Sequence, residues 1–161
     1  MKKLVASSIL SLLFAVSSFA VGLQPPKEPA RDILGVRIGM SADEAHTQLK
    51  KIGELQKEER KRQEVWAIRD PRFSHLIVQF EKGTRLIHFV TAVARADAQA
   101  EKMRYSDVGE LKSARQRGEA AKKNYRYEWG LEAAGKDPKV QIVAWGRDPQ
   151  YLQYYSIERA N

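Results

Sequence analysis

An alternating apolar pattern over residues 74–95, broken once at Lys82-Gly83, constrains this chain more than any other feature. Period-two alternation marks a strand with one buried face, and a short glycine-bearing break between two such runs predicts a β-hairpin. Strands are expected over 74–81 and 84–95. With a two-residue loop, Phe80 stands opposite Arg85 and Ile77 opposite His88. Leu76, Val78, Phe80, Ile87 and Phe89 then share the face that buries. His75, Ile77, Gln79, Leu86, His88 and Val90 share the other. Lysine suits the positive φ of a two-residue turn poorly, so a longer loop with a shifted register is the alternative.

Another strand is expected over 64–68, joined to the hairpin by Arg69-Asp70-Pro71, where proline presets a turn dihedral. Upstream, Ser41-Ala42-Asp43-Glu44 has the form of a capping box, with Met40 placed to staple onto Ala45. Ala45, Leu49 and Ile52 follow at helical spacing, and Gly53 supplies a stop. His46 falls on the polar side of that helix, toward solvent. The polar run 56–62 reads as an exposed extension or a loop. A second helical region is expected within 96–123, capped by Ser106 or Asp107 with Leu111 and Ala114 inward and weakened by Gly118.

Three more strands are expected over 124–131, 139–145 and 151–159, the last two joined by Gly146-Arg147-Asp148-Pro149. Arg69-Asp70-Pro71-Arg72-Phe73 and Arg147-Asp148-Pro149-Gln150-Tyr151 match at an offset of 78 residues, with Val65 and Val143 in step. Two tandem helix-plus-three-strand repeats would produce this match, and so would turn chemistry alone. The fold class predicted is α+β, with helices packed on one face of a mainly antiparallel β-sheet.

Residues 1–20 have the organisation of a secretory signal peptide. A basic Met1-Lys2-Lys3 precedes an apolar stretch, and Ser18-Phe19-Ala20 offers small residues to a peptidase. A membrane anchor is the alternative, but five serines dilute the uncharged run. Cleavage after Ala20 leaves 141 of 161 residues, a length that suits one domain over 32–161 behind an extended, proline-rich lead-in at 21–31. The expected location is periplasmic or secreted, with no membrane span after cleavage. Cysteine is absent, which excludes disulfides, a thiol nucleophile, cysteine metal ligation and lipid attachment through cysteine. Taking Lys2 and Lys3 from the net +8 of the whole chain leaves +6. Charge of that sign suits anionic envelope polymers or an acidic protein, whereas export argues against nucleic acid.

The run Ile38-Gly39-Met40-Ser41-Ala42-Asp43-Glu44-Ala45, followed by Leu49 and Gly53, resembles the opening of SmpA/OmlA-type (BamE-like) small exported domains. Val78-Gln79-Phe80-Glu81-Lys82-Gly83-Thr84-Arg85-Leu86-Ile87 resembles their central hairpin. The resemblance covers about Ile38 to Val90. It implies a β-lactamase-inhibitor-protein-like layer of helix on antiparallel sheet, and roles in envelope assembly or protein binding without catalysis. The chain differs from the outer-membrane assembly lipoproteins of that group in having no cysteine to carry a lipid.

No Gly-x-Ser-x-Gly elbow and no phosphate-binding glycine loop occurs, so an enzyme is not expected and no cofactor is implied. His75 and His88, as diagonal neighbours on the less apolar hairpin face, would be the residues of an alternative envelope metal-binding protein or hydrolase. The aromatic residues concentrate near the C-terminus. Tyr125, Tyr127 and Trp129 alternate on one strand face, with Arg126 and Glu128 on the other. Read as core, they are the buried face of a sheet. Read as a site, tyrosine and tryptophan beside arginine are what protein interfaces concentrate. Tyr154 and Tyr155 point to opposite faces, so one of the two lies away from the core. The expected function is a non-catalytic domain that binds another envelope protein through its sheet. The candidate surface is Tyr125, Tyr127, Trp129, Tyr154 and Tyr155 with His75, Ile77 and His88. Electrostatic binding of anionic envelope polymers is the second alternative.

Overall fold

In the computed structural model, which describes residues 27–60, 62–97 and 101–160, the expected capping box forms. The Ser41 hydroxyl accepts from the Glu44 amide at 3.3 Å, and the Glu44 carboxylate accepts from the Ser41 amide at 2.8 Å. Two of the orphan donors at the helix start are thereby satisfied, which stabilises α1 (Ala42–Ile52) by about 1 kcal/mol. Ala42, Ala45 and Leu49 form its buried stripe. The signal peptide expected at 1–20 and residues 21–26 lie outside the described residues.

Two short strands, β1 (Asp32–Ile33) and β2 (Val36–Arg37), pair as a ribbon before α1. After it come β3 (Gly53–Glu59), β4 (Gln63–Ile68), β5 (Phe73–Phe80) and β6 (Ile87–Ala94). A one-turn α2 (Tyr105–Val108) then leads to β7 (Arg115–Arg117), β8 (Tyr125–Leu131), β9 (Val140–Gly146) and β10 (Tyr154–Arg159). These eight strands make one antiparallel sheet in the order β3-β4-β5-β6-β10-β9-β8-β7. Two four-strand meanders thus meet along β6 and β10.

The protein is mostly β, and the expected α+β layering of helices on a sheet does not hold. Among the described residues α1 is the only helix longer than a turn. Where the second helix was expected, the chain forms α2, two 3₁₀ turns and edge strand β7. Gly109 ends α2 after four residues, and a Cβ there would lie 2.7 Å from Pro29 Cγ. The lead-in crosses at that point: Glu110 N donates to the Lys27 carbonyl, and the Lys27 ammonium donates to the Asp107 carbonyl. Nothing in 110–123 offers a buried stripe to replace those contacts, since every residue but Glu110 and Ala114 is exposed. Residues 56–59 of the polar run, expected as an exposed extension or a loop, belong to the edge strand β3.

The tandem helix-plus-three-strand repeat is also overturned. Each meander has four strands, and counting outward from β6 and β10, β4 and β5 correspond to β8 and β9. The 78-residue match instead aligns the β4–β5 turn with the β9–β10 turn. Turn chemistry accounts for it. Asp70 Oδ1 accepts from the amides of Arg72 and Phe73 at 2.8 and 3.2 Å. Asp148 Oδ1 accepts from those of Gln150 and Tyr151 at 2.7 and 3.0 Å. Asp-Pro builds the same side-chain-closed turn twice.

The hairpin register departs from the two-residue loop. Glu81 N donates to the Leu86 carbonyl, so Lys82 to Arg85 make a four-residue loop, and His88 is the extra residue of a bulge opposite Gln79. Ile77 therefore faces Thr91, and Phe80 faces Ile87. The bulge exchanges the partners beyond it: Val90 is fully buried on the inner face, while Phe89 is half-exposed on the outer one. The main core cluster, which includes Leu49, Trp66, Leu76, Phe80, Ile142 and Ile157, lies on the inner face, while Val143 is buried on the outer one.

A Cβ on Gly53 would lie 2.2 Å from the Ala67 carbonyl oxygen, so Gly53→Ala should lower stability in urea unfolding by about 1–3 kcal/mol. Burial raises the Asp70 pKa, but the hydrogen bonds from the Arg72 side chain and the two turn amides outweigh it and hold the carboxyl below its ordinary 3.8. A depressed folded-state pKa gives stability that is complete above the unfolded value and lost as pH falls through the folded one. The melting-temperature gap between the wild type and Asp70→Asn should therefore stay constant at neutral pH and shrink below pH 3.8.

Candidate functional site

Strand alternation divides this sheet into two unlike faces. The inner face is covered by α1, the β1–β2 ribbon, the lead-in and the α2 region. His46 of α1 lies over Trp66 and Phe80 at ring distances of 6.0 and 6.1 Å. Tyr105 of α2 packs on Tyr127 at 4.8 Å, and the Tyr155 hydroxyl donates to the Ala30 carbonyl. All these contacts fall on one side.

The outer face carries continuous rows of side chains across the strands. One row reads Ala67, His75, Val93, Tyr154, Trp145, Arg126, Arg117 in successive registers. The next reads Val65, Ile77, Thr91, Ser156, Val143, Glu128, Arg115. With strands about 4.8 Å apart, eight of them span roughly 34 Å. Val65, Ile77, Phe89, Val93 and Trp145 are half-exposed, and Tyr154 is 38% exposed. Trp145 and Tyr154 pair at 5.2 Å between ring centroids. On one flank, Arg126 and Arg117 clamp the Glu128 carboxylate at 2.7 and 3.2 Å. Glu128 is only 9% exposed, so its charge is spent orienting two guanidinium groups, and Arg115 adds a third cation beside them.

The residues singled out from sequence do not form one surface. Trp129 and Tyr155 are 4% and 5% exposed on the inner face, and Tyr125 and Tyr127 pack half-buried against the same core. Burial pushes the Tyr155 hydroxyl well above the usual phenol range, and pushes that of Tyr105 up to about 12. Tyr154, His75 and Ile77 lie on the outer face. His88 sits at the bulge, at the end of that face. His75 pairs with Val93 and stands four residues along β5 from Gln79, the partner of the bulge. That spacing puts the two histidines about 13 Å apart along the strand rather than on a diagonal. Among the described residues no three His, Asp or Glu side chains come together as a metal site.

Sequence reading missed Val65, Phe89, Val93, Trp145 and the arginine flank as parts of one surface. Strand β9 is apolar on both faces, so alternation alone is silent on where Trp145 points. It also placed His46 toward solvent. Its Nε2–H instead donates to Glu64, 2.8 and 3.0 Å from the two oxygens, and the Trp66 indole N–H donates to the same carboxylate at 2.9 Å. Glu64 is 3% exposed, and these two donors are what satisfy it. This network is a structural tie between α1 and β4, with the Glu64 carboxylate buried and the His46 side chain 31% exposed.

Compared with known proteins, the chain matches no family model, no curated protein and no solved structure.

The two faces should respond differently to truncation. Trp129→Ala and Tyr155→Ala should each cost about 3–5 kcal/mol in chemical unfolding, as buried aromatic side chains do. Trp145→Ala and Tyr154→Ala should each cost about 1 kcal/mol, the scale of a cross-strand pair. Equal losses from both pairs would put the outer aromatics in the core.

Proposed function

We propose that this chain is an exported, non-catalytic binding domain of the cell envelope, and that its outer sheet face docks another protein. The observation that carries the reading is the outer face itself: a broad strip of half-exposed Val65, Ile77, Phe89, Val93, Trp145 and Tyr154 with no helix packed on it among the described residues. Contiguous apolar surface of this kind mark interaction sites, and paired aromatics beside arginine are the side chains that anchor interfaces. The arginine flank supplies the polarity. Three guanidinium groups against one carboxylate favour a partner that presents an apolar contact patch with aspartate or glutamate on the β7–β8 side. Export rests on the signal-like residues 1–20, and the reading agrees with the SmpA/OmlA-type resemblance.

Site-specific photocrosslinking in the envelope tests it. A crosslinkable residue at Ile77 or Tyr154 should trap one protein, and the same residue at Thr47 on the exposed side of α1 should not. The trapped protein, once purified, should bind the domain directly, and Trp145→Ala with Tyr154→Ala should weaken that binding at least tenfold, about 1.4 kcal/mol per tenfold. Equal trapping from both sides of the molecule, or undiminished binding by the double variant, defeats the proposal.

A further inference from the structure

At the end of the outer face, the β3–β4 turn and the β5–β6 loop come together, tied by the hydrogen bond from Phe80 N to the Arg62 carbonyl at 2.7 Å. Between them lies an open groove of about 1000 Å³. Five cations line it: Lys57, Arg60, Arg62, Lys82 and Arg159. Lys57, Arg60 and Arg62 come from one charged stretch at the end of β3 and its turn, and folding brings Lys82 of the β5–β6 loop and Arg159 of β10 to the same groove. Two carboxylates face them, and both are engaged. Glu59 takes Lys57 at 2.5 Å, and that hydrogen bond holds its carboxyl below the usual range. Glu81 accepts from the Thr84 hydroxyl at 2.7 Å and lies 3.8 Å from Arg159. Arg60, Arg62 and Lys82 have no ion-pair partner among the described residues, and each is exposed. Gln79 donates its amide to the Gln63 carbonyl oxygen at 2.9 Å, which leaves the Gln63 amide nitrogen as a further donor on the floor.

We infer that this groove is a binding site for a phosphate-bearing ligand carrying more than one negative charge. Three unpaired cations around one cavity exceed what a single carboxylate would neutralise, whereas each phosphate group brings about −1.5 to −2 at neutral pH. Guanidinium groups such as those of Arg60 and Arg62 match the oxygen geometry of phosphate in a bidentate way, and Lys82 adds a point charge. The ligand is either a soluble polyphosphate or the phosphate headgroup of an anionic lipid. The site lies beyond the aromatic strip proposed for protein docking, and its test uses no protein partner.

Calorimetric titration of the purified protein with inorganic tripolyphosphate, at about 0.15 M salt to screen diffuse attraction, should show saturable binding of one equivalent. The triple variant R60Q/R62Q/K82Q should weaken it by about tenfold or more. A control, K50Q/K112Q/K136Q, removes the same charge from exposed sites elsewhere and should change affinity less than about twofold, as screened distant charges do. Unchanged melting temperatures show that both variants are folded. Vesicles of phosphatidylglycerol in phosphatidylcholine separate the two sources. Vesicle binding displaced by tripolyphosphate assigns a lipid headgroup, and tripolyphosphate binding with vesicles ignored assigns a soluble ligand; either supports the site. Equal loss in the two triple variants, or no saturable binding, overturns it.

Discussion

Everything in this protein depends on the pairing of β6 with β10. Each belongs to a four-strand meander that closes through local turns, and nothing local joins the two meanders. Their ladder brings Val90 opposite Ile157 and Ala92 opposite Tyr155, all four buried on the inner face. On the outer face of the same ladder the Thr91 and Ser156 hydroxyls lie 2.8 Å apart. Closing this contact across 65 residues costs loop entropy that only the shared core repays. Without it there would be two narrow sheets, each with an exposed edge, and no continuous outer face.

The covering of the inner face is uneven, and that determines what the molecule can offer to others. Over β4 and β5 it is α1, locked by the capping box at its start and by His46 to the buried Glu64 midway. Over β8 and β9 it is irregular chain, held by single hydrogen bonds such as that from the Trp129 indole to the Glu110 carbonyl. Each half buries aromatic residues inward, Trp66 and Phe80 in one and Trp129 and Tyr155 in the other, while Phe89, Trp145 and Tyr154 stand on the outer face. The outer face is left with side chains too apolar for an ordinary solvated surface and too exposed for a core.

Much of the local structure was legible. The capping box, the strand over 64–68, the hairpin and the three C-terminal strands all follow from short-range rules acting on adjacent residues. What was not legible has identifiable causes. Edge strand β3 reads as a polar run because an edge needs charged residues to stay unpaired, so it shows no strand signal. The β6 bulge moved Phe89 to the outer face and Val90 to the inner one by inserting His88, and no pattern in the chain announces an extra residue. Gly109 and the lead-in, not helix propensity, decided that α2 would end after one turn.

The sequence by itself determined the local elements: the capped α1, the Asp-Pro turns and the alternation that sorts Tyr154 from Tyr155. It did so because caps, turns and pleats depend on neighbours within a few residues. Only the tertiary structure decided that the sheet is eight strands wide, that Trp145 and Tyr154 meet, and that Arg60, Arg62, Lys82 and Arg159 line one groove. The sheet width and the groove join segments far apart in the chain, and the Trp145–Tyr154 pair depends on the register of β9 with β10; a register set by bulges and long-range pairing is a property of the packed whole.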